Sequence, residues 1–223
     1  MRVLSLTHGP SVGPGVFGDA VRDAGHELVG WSVPDAERPP ADYDAILVFG
    51  GAMHPDQDGR HSWLQRELRF LDRELERGTP IFGVCLGAQL LARAAGARVL
   101  PASEPEVGWL EVDLTPAGAT DPVSSALPER FEAFQWHSYT HELPEGAVEL
   151  ARSRVCTQAF RLGRAIGVQF HPEVTSDHVE RWLGEDPADV SNAGALREET
   201  ARRIGAWNEL GRSLCAAFLA DAG

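Results

Sequence analysis

Cys85 stands in Gly83-Val84-Cys85-Leu86-Gly87, after the apolar run Ile81–Val84 and before Ala88-Gln89-Leu90-Leu91-Ala92-Arg93. The run reads as a buried strand and the segment after it as a helix, because its residues are good helix formers. A thiol between a strand and a helix, with glycine two positions away on either side, matches a nucleophile elbow. The glycines permit a tight, strained turn that lifts the central side chain off the sheet. The same placement sets Cys85 at a helix N-terminus, where unpaired N–H groups and the macrodipole favour a thiolate. The plain alternative is a core cysteine, since free cysteine is among the most buried residue types.

A second reactive group stands in Gln169-Phe170-His171-Pro172-Glu173. Pro172 has no N–H, fixes its own φ and pushes His171 into an extended conformation. Residues two apart in an extended segment point to the same side, so Glu173 can meet His171 and fix its tautomer. A third feature is Gly50-Gly51, closing the apolar run Ala45–Phe49. Paired glycines at the C-terminal end of a sheet strand let backbone N–H groups approach a ligand. Two further clusters read as plain loops. His54, Asp56, Asp58 and His61 fit neither an EF-hand nor a helical histidine pair, and Gly9 to Gly15 lacks the Lys-Ser/Thr of a phosphate loop. No metal is expected.

These groups need a sheet to carry them. Val3–Leu6, His26–Trp31 and Ala45–Phe49 read as strands, with a short helix through Arg22. From Trp63 to Arg77, Trp63, Leu64, Leu68, Leu71 and Leu75 recur at helical spacing with charges elsewhere. Gly78 would cap this helix, and the elbow strand follows, making a right-handed parallel βαβ unit. Ligands of open α/β sheets bind at the C-terminal strand ends, so Gly50-Gly51 and Cys85 should share one rim. After Gly96 come six short strand-like segments, Ala97–Leu100, Val107–Leu114, Arg130–Trp136, Ala147–Ala151, Val155–Phe160 and Ala165–Gln169. They suggest an antiparallel extension of the same domain. Val174–Leu183 and Ala195–Leu219 read as helices, with Cys156 and Cys215 as core residues.

The chain has 223 residues and a formal charge of −13, and no basic run, which argues against a nucleic-acid partner. The length suits one α/β domain spanning residues 1–223. Three cysteines form neither a C-x-x-C pair nor an even framework, so a reducing, cytoplasmic setting is expected. No signal peptide and no membrane span are expected either.

Gly50-Gly51, Gly83-x-Cys85-x-Gly87-x-Gln89 and His171-Pro172-Glu173, in this order, resemble the class I (triad) glutamine amidotransferases. Val107-Gly108-Trp109 and Gln135-Trp136-His137-Ser138 are similar to segments of the amidotransferase domain of GMP synthetases. The resemblance implies a flavodoxin-like open mixed α/β sheet and hydrolysis of the glutamine side-chain amide through a γ-glutamyl thioester. It makes Cys85 the nucleophile, His171 the base and Glu173 its orienter, with the N–H groups of Gly51 and Leu86 as an oxyanion hole. Gly50, Gln89, Ser138 and Tyr139 would hold the substrate, and no cofactor is implied. The ammonia would pass to a separate synthetase subunit, because the chain holds no Ser-Gly-Gly-x-Asp nucleotide loop. Two other readings stay open. One is a self-sufficient hydrolase or peptidase of another γ-glutamyl amide. The other is a non-enzymatic, DJ-1/PfpI-like protein, against which Leu86 counts because that branch usually has histidine after its cysteine.

Overall fold

The computed structural model describes residues 1–223. The first half alternates strand and helix: β1 (Arg2–Thr7), α1 (Gly15–Asp23), β2 (Glu27–Ser32), β3 (Ala45–Val48), α2 (Trp63–Arg77), β4 (Ile81–Val84) and α3 (Leu86–Ala94). Five strands follow, β5 (Val99–Leu114), β6 (Arg130–His141), β7 (Val148–Arg152), β8 (Thr157–Leu162) and β9 (Ala165–Val168). The chain then closes with α4 (Ser176–Glu185) and α5 (Ala193–Ala222).

All nine strands form one sheet in the order β2-β1-β3-β4-β9-β8-β7-β5-β6. The first five are parallel neighbours and the rest pair antiparallel. With β9 as the fifth strand, the parallel part has the flavodoxin-like order, and the expected mixed open sheet is what forms. Every residue of β3, β4 and β9 is buried, as continuous apolar runs covered on both faces must be. Ala45 and Leu47 join the core that contains Phe17 of α1 and Phe218 of α5, whereas Ile46 and Val48 join the one that contains Leu71 of α2 and Leu90 of α3. No helix is long and apolar enough to cross a membrane.

Four expectations need correction. The segments Ala97–Leu100 and Val107–Leu114 are one strand, β5, whose register against β6 shifts between Pro101 and Glu106. The prolines remove ladder donors, and a bulge absorbs the loss without ending the strand. The last strand is not confined to the antiparallel extension, because β9 also pairs parallel with β4. Helix α4 starts at Ser176, with Thr175 extended as its cap, so Val174 lies outside it. Cys156 precedes β8 and is half-buried among polar side chains, whereas Cys215 is a core residue as expected.

Candidate active site

Between β4 and α3, Cys85 has φ 52° and ψ −108°, a conformation that costs a non-glycine residue about 1–3 kcal/mol. The flanking glycines show why the turn closes. A Cβ on Gly83 would lie 2.8 Å from the Gly87 backbone, and one on Gly87 would lie 2.2 Å from the Val48 carbonyl. Helix α3 therefore starts pressed against both β3 and β4. The Cys85 N–H donates to the Val168 carbonyl at 2.8 Å, extending the β4–β9 pairing up to the thiol. Cys85 itself is 6% exposed.

The chain leaves β9 toward the same rim. The N–H of His171 donates to the Phe134 carbonyl, and the His171 carbonyl accepts from Trp207 Nε1 on α5, each at 2.9 Å. Two glycines let helices clamp the tripeptide: a Cβ on Gly211 of α5 would lie 2.0 Å from the Pro172 carbonyl, and one on Gly15 of α1 would lie 1.9 Å from the Glu173 carbonyl. Within this clamp His171 Nδ1 donates to Glu173 Oε1 at 2.9 Å, with both side chains buried. A Cβ on Gly50 would lie 3.1 Å from His171 Cε1 and 3.7 Å from Cys85 Cβ, so thiol, imidazole and Gly50 converge. Burial disfavours the imidazolium, but the charges of Glu173 and of a Cys85 thiolate outweigh it and raise the His171 pKa to about 10.

Gly50 and Gly51 lie beside the elbow, and a pair absent from the sequence reading fixes them. His8, just past β1, places Nδ1 2.8 Å from the Gly50 carbonyl and Nε2 2.9 Å from Glu67 Oε1 on α2. The Gly50 carbonyl and the Gly51 N–H belong to one trans peptide and point opposite ways. Holding the carbonyl against His8 therefore aims the N–H away from it. That N–H donates to no backbone or side-chain acceptor. A Cβ on Gly51 would lie 2.8 Å from Leu86 Cδ2, and the Leu86 N–H opens α3, where helix geometry supplies no acceptor. Glu67 was legible in one respect: it lies within the apolar stripe of Leu64, Leu68 and Leu71, where a carboxylate needs a partner. The charges of α2 thus do not all face solvent, since Glu67 and Glu74 are buried.

Two cavities meet at Cys85. One, about 370 Å³, includes Gln89, His137, Ser138 and Tyr139; the other, about 230 Å³, includes His8, Val12, Met53, His171 and Trp182. Trp136 borders both. Gln89 Nε2 donates to the Tyr139 carbonyl at 2.8 Å and to Gln169 Oε1 at 3.0 Å, so its N–H groups are engaged inside the protein. Ser138 is exposed, and the Tyr139 ring stacks on His54 at 4.2 Å. In the 54–61 loop Asp58 pairs with Arg93 at 2.7 Å, which ties the loop to α3. A larger cleft of about 670 Å³, between α2 and residues 37–43, contains none of these groups.

A sequence model described as glutamine amidotransferase class-I matches residues 19–183. A γ-glutamyl-L-1-hydroxyisopropylamide hydrolase of a Pseudomonas species is 36% identical over 165 residues, covering 69% of this chain and 55% of that enzyme. A glutamine-hydrolysing GMP synthase of Thermomicrobium roseum is 37% identical over 134 residues, 58% of this chain and 23% of that enzyme. The chain thus spans about half of the first relative and under a quarter of the second. A solved glutamine amidotransferase from Thermotoga maritima superposes with a TM-score of 0.88 at 28% identity, covering 98% of both chains.

Proposed function

Because the chain belongs to the class-I glutamine amidotransferase family, we propose that it hydrolyses the side-chain amide of glutamine through Cys85, His171 and Glu173 and releases ammonia to a separate synthetase. The observation that carries this reading is the strained Cys85 at the head of α3, converging on Gly50 with the buried His171–Glu173 pair. His171, buried beside Cys85 and with its pKa raised, takes the thiol proton as the sulfur attacks the amide carbon. The oxygen of the tetrahedral intermediate accepts from the Gly51 and Leu86 N–H groups, which preorganised in this way contribute roughly 3 kcal/mol each. His171 passes its proton to the leaving nitrogen and ammonia departs. Water, deprotonated by the same ring, then attacks the γ-glutamyl thioester and frees glutamate. Glu173 keeps the Nδ1 proton in place throughout. Gln89, Ser138 and Tyr139 would line the side that takes the α-amino and carboxylate groups, with Gly50 below the amide. The chain 1–223 would act as one catalytic domain.

A second reading has its own support. The 230 Å³ cavity beyond Cys85, walled by Val12, Met53, Trp136 and Trp182, has room for a leaving amine larger than ammonia. The Pseudomonas relative carries the name of a hydrolase of such an amide. A panel of glutamine and γ-glutamyl alkylamides, assayed for glutamate release by the isolated protein, separates the two. Glutamine preferred, with turnover rising when a synthetase co-purifies, supports the first reading. A γ-glutamyl alkylamide at least tenfold faster than glutamine supports the second, and no release from any of them, with or without the co-purifying protein, refutes both.

A further inference from the structure

Away from Cys85, the bulge of β5, the middle of β6 and the turn before β8 bring Glu106, His137 and Cys156 together, with their donor atoms within 4.8 Å of one another. Glu106 and His137 are 3% and 6% exposed. Glu106 Oε2 lies 3.2 Å from His137 Nε2 and 3.5 Å from Cys156 Sγ. His137 Nδ1 is 3.0 Å from the Tyr139 carbonyl, which only accepts, so Nδ1 carries a proton and Nε2 is the nitrogen left to face Glu106. That nitrogen is buried and makes no hydrogen bond. Glu106 Oε2, 3.2 Å from it, accepts from Gln158 Nε2 at 2.8 Å. A divalent cation between that nitrogen and the buried carboxylate would be attracted by both, taking the place of a ring proton.

We propose that Glu106 Oε2, His137 Nε2 and Cys156 Sγ form a binding site for a zinc-type divalent cation, with solvent as the fourth ligand. The neighbouring cleft of about 490 Å³, lined by Glu106 and Ser153, supplies that solvent position. Tetrahedral zinc with bonds of about 2.0 Å to nitrogen and oxygen and about 2.3 Å to sulfur has donor–donor edges of roughly 3.3–3.6 Å. The two spacings from Glu106 Oε2, 3.2 and 3.5 Å, are close to those edges, and all three donor atoms lie within 4.8 Å of one another. A mixed nitrogen, oxygen and sulfur set selects zinc over calcium or magnesium, which take oxygen ligands. The outer groups are in place: the Tyr139 carbonyl fixes the histidine tautomer, and Gln158 holds the carboxylate. On binding, the Cys156 S–H bond breaks, the sulfur–metal bond forms and the proton leaves to solvent. The Tyr139 carbonyl also accepts from Gln89, so occupancy would stiffen one wall of the cavity at Cys85.

Cobalt(II) titration of the Cys85→Ala protein tests the site without the elbow thiol. The expected result is one equivalent bound, with a thiolate-to-cobalt charge-transfer band and the intense visible bands of four-coordinate cobalt, all displaced by zinc. Adding Cys156→Ser should abolish the charge-transfer band, and adding Glu106→Gln should weaken binding at least tenfold. No cobalt uptake, or a charge-transfer band that survives Cys156→Ser, overturns the proposal. Should that double variant not fold, zinc protection of Cys156 against alkylation in the Cys85→Ala protein, read by mass spectrometry, decides the matter. Alkylation at the same rate with and without zinc also overturns it.

Discussion

His8 Nε2 lies 2.9 Å from Glu67 Oε1, and neither side chain has any solvent exposure. The other ring nitrogen faces the Gly50 carbonyl at 2.8 Å. Both partners only accept, so both nitrogens carry protons and His8 is an imidazolium. Burial disfavours that charge, yet Glu67 outweighs it and the His8 pKa is raised. A buried ion pair thus sets the orientation of the peptide whose N–H belongs to Gly51.

Glu67→Gln removes the counter-charge and strands the imidazolium. Breaking a buried pair from one side costs about 3–5 kcal/mol, which urea unfolding would measure. Turnover should fall with little change in KM, since a misaimed Gly51 N–H weakens only the transition state. Full stability in this variant would mean that His8 is neutral.

The pH dependence follows from His171. Its pKa stands at about 10, above the ordinary 6.5, so the imidazolium persists through neutral pH and kcat/KM should fall on an alkaline limb near 10. Linkage has the same sign. A raised folded-state pKa contributes stability in full below about 6.5, and that stability is lost as pH rises through about 10. Glu173→Gln removes the largest raising charge, so the limb should move to lower pH, and turnover should drop less than in His171→Ala. A limb that stays put in Glu173→Gln would separate the carboxylate from the imidazole.

The elbow around Cys85 and the His171-Pro172-Glu173 segment were legible because their geometry is local. Gly83, Gly87 and Pro172 constrain the backbone within two residues of Cys85 or His171, and no distant partner is needed to read them. His8 was not legible, since its partner Glu67 meets it only after α2 packs on the sheet. The break in β5 was misread because a proline signals the end of a ladder, while only the sheet reveals a bulge. The double pairing of β9 was hidden for a similar reason: four buried residues carry no alternation to tell a parallel neighbour from an antiparallel one.

The strain at Cys85 separates chemistry from stability. Cys85→Ala should abolish turnover while the fold persists, because φ 52° is already accommodated and only the sulfur is lost. A glutamine-derived diazoketone should label the parent protein at Cys85 alone, and labelling at Cys156 or Cys215 would identify a different nucleophile. Glycine relieves the strain that alanine retains, at an entropic cost of roughly 0.5–1 kcal/mol set against 1–3 kcal/mol of strain. Cys85→Gly should therefore be more stable than Cys85→Ala by about 1 kcal/mol in thermal or urea unfolding. The reverse order would mean that the turn is not strained.

Gly51 tests the oxyanion assignment most directly. A methyl group there would lie 2.7 Å from Met53 Sδ, 2.8 Å from Leu86 Cδ2 and 2.9 Å from His8 Cβ. Met53 is flexible enough to yield, but the His8 Cβ is fixed by the pair with Glu67 and by the end of β1, so the Gly50–Gly51 peptide must rotate instead. Rotation moves the N–H off its aim while leaving the thiol and imidazole untouched. Gly51→Ala should then lower kcat by about 10²–10³-fold, the loss seen when one oxyanion donor is removed elsewhere. The alkylation rate of Cys85 by iodoacetamide, which forms no tetrahedral oxyanion, should change less than threefold. Parallel losses in both measurements would place the damage in the thiol–imidazole pair, and undiminished turnover would show that the Gly51 N–H has no part in the reaction.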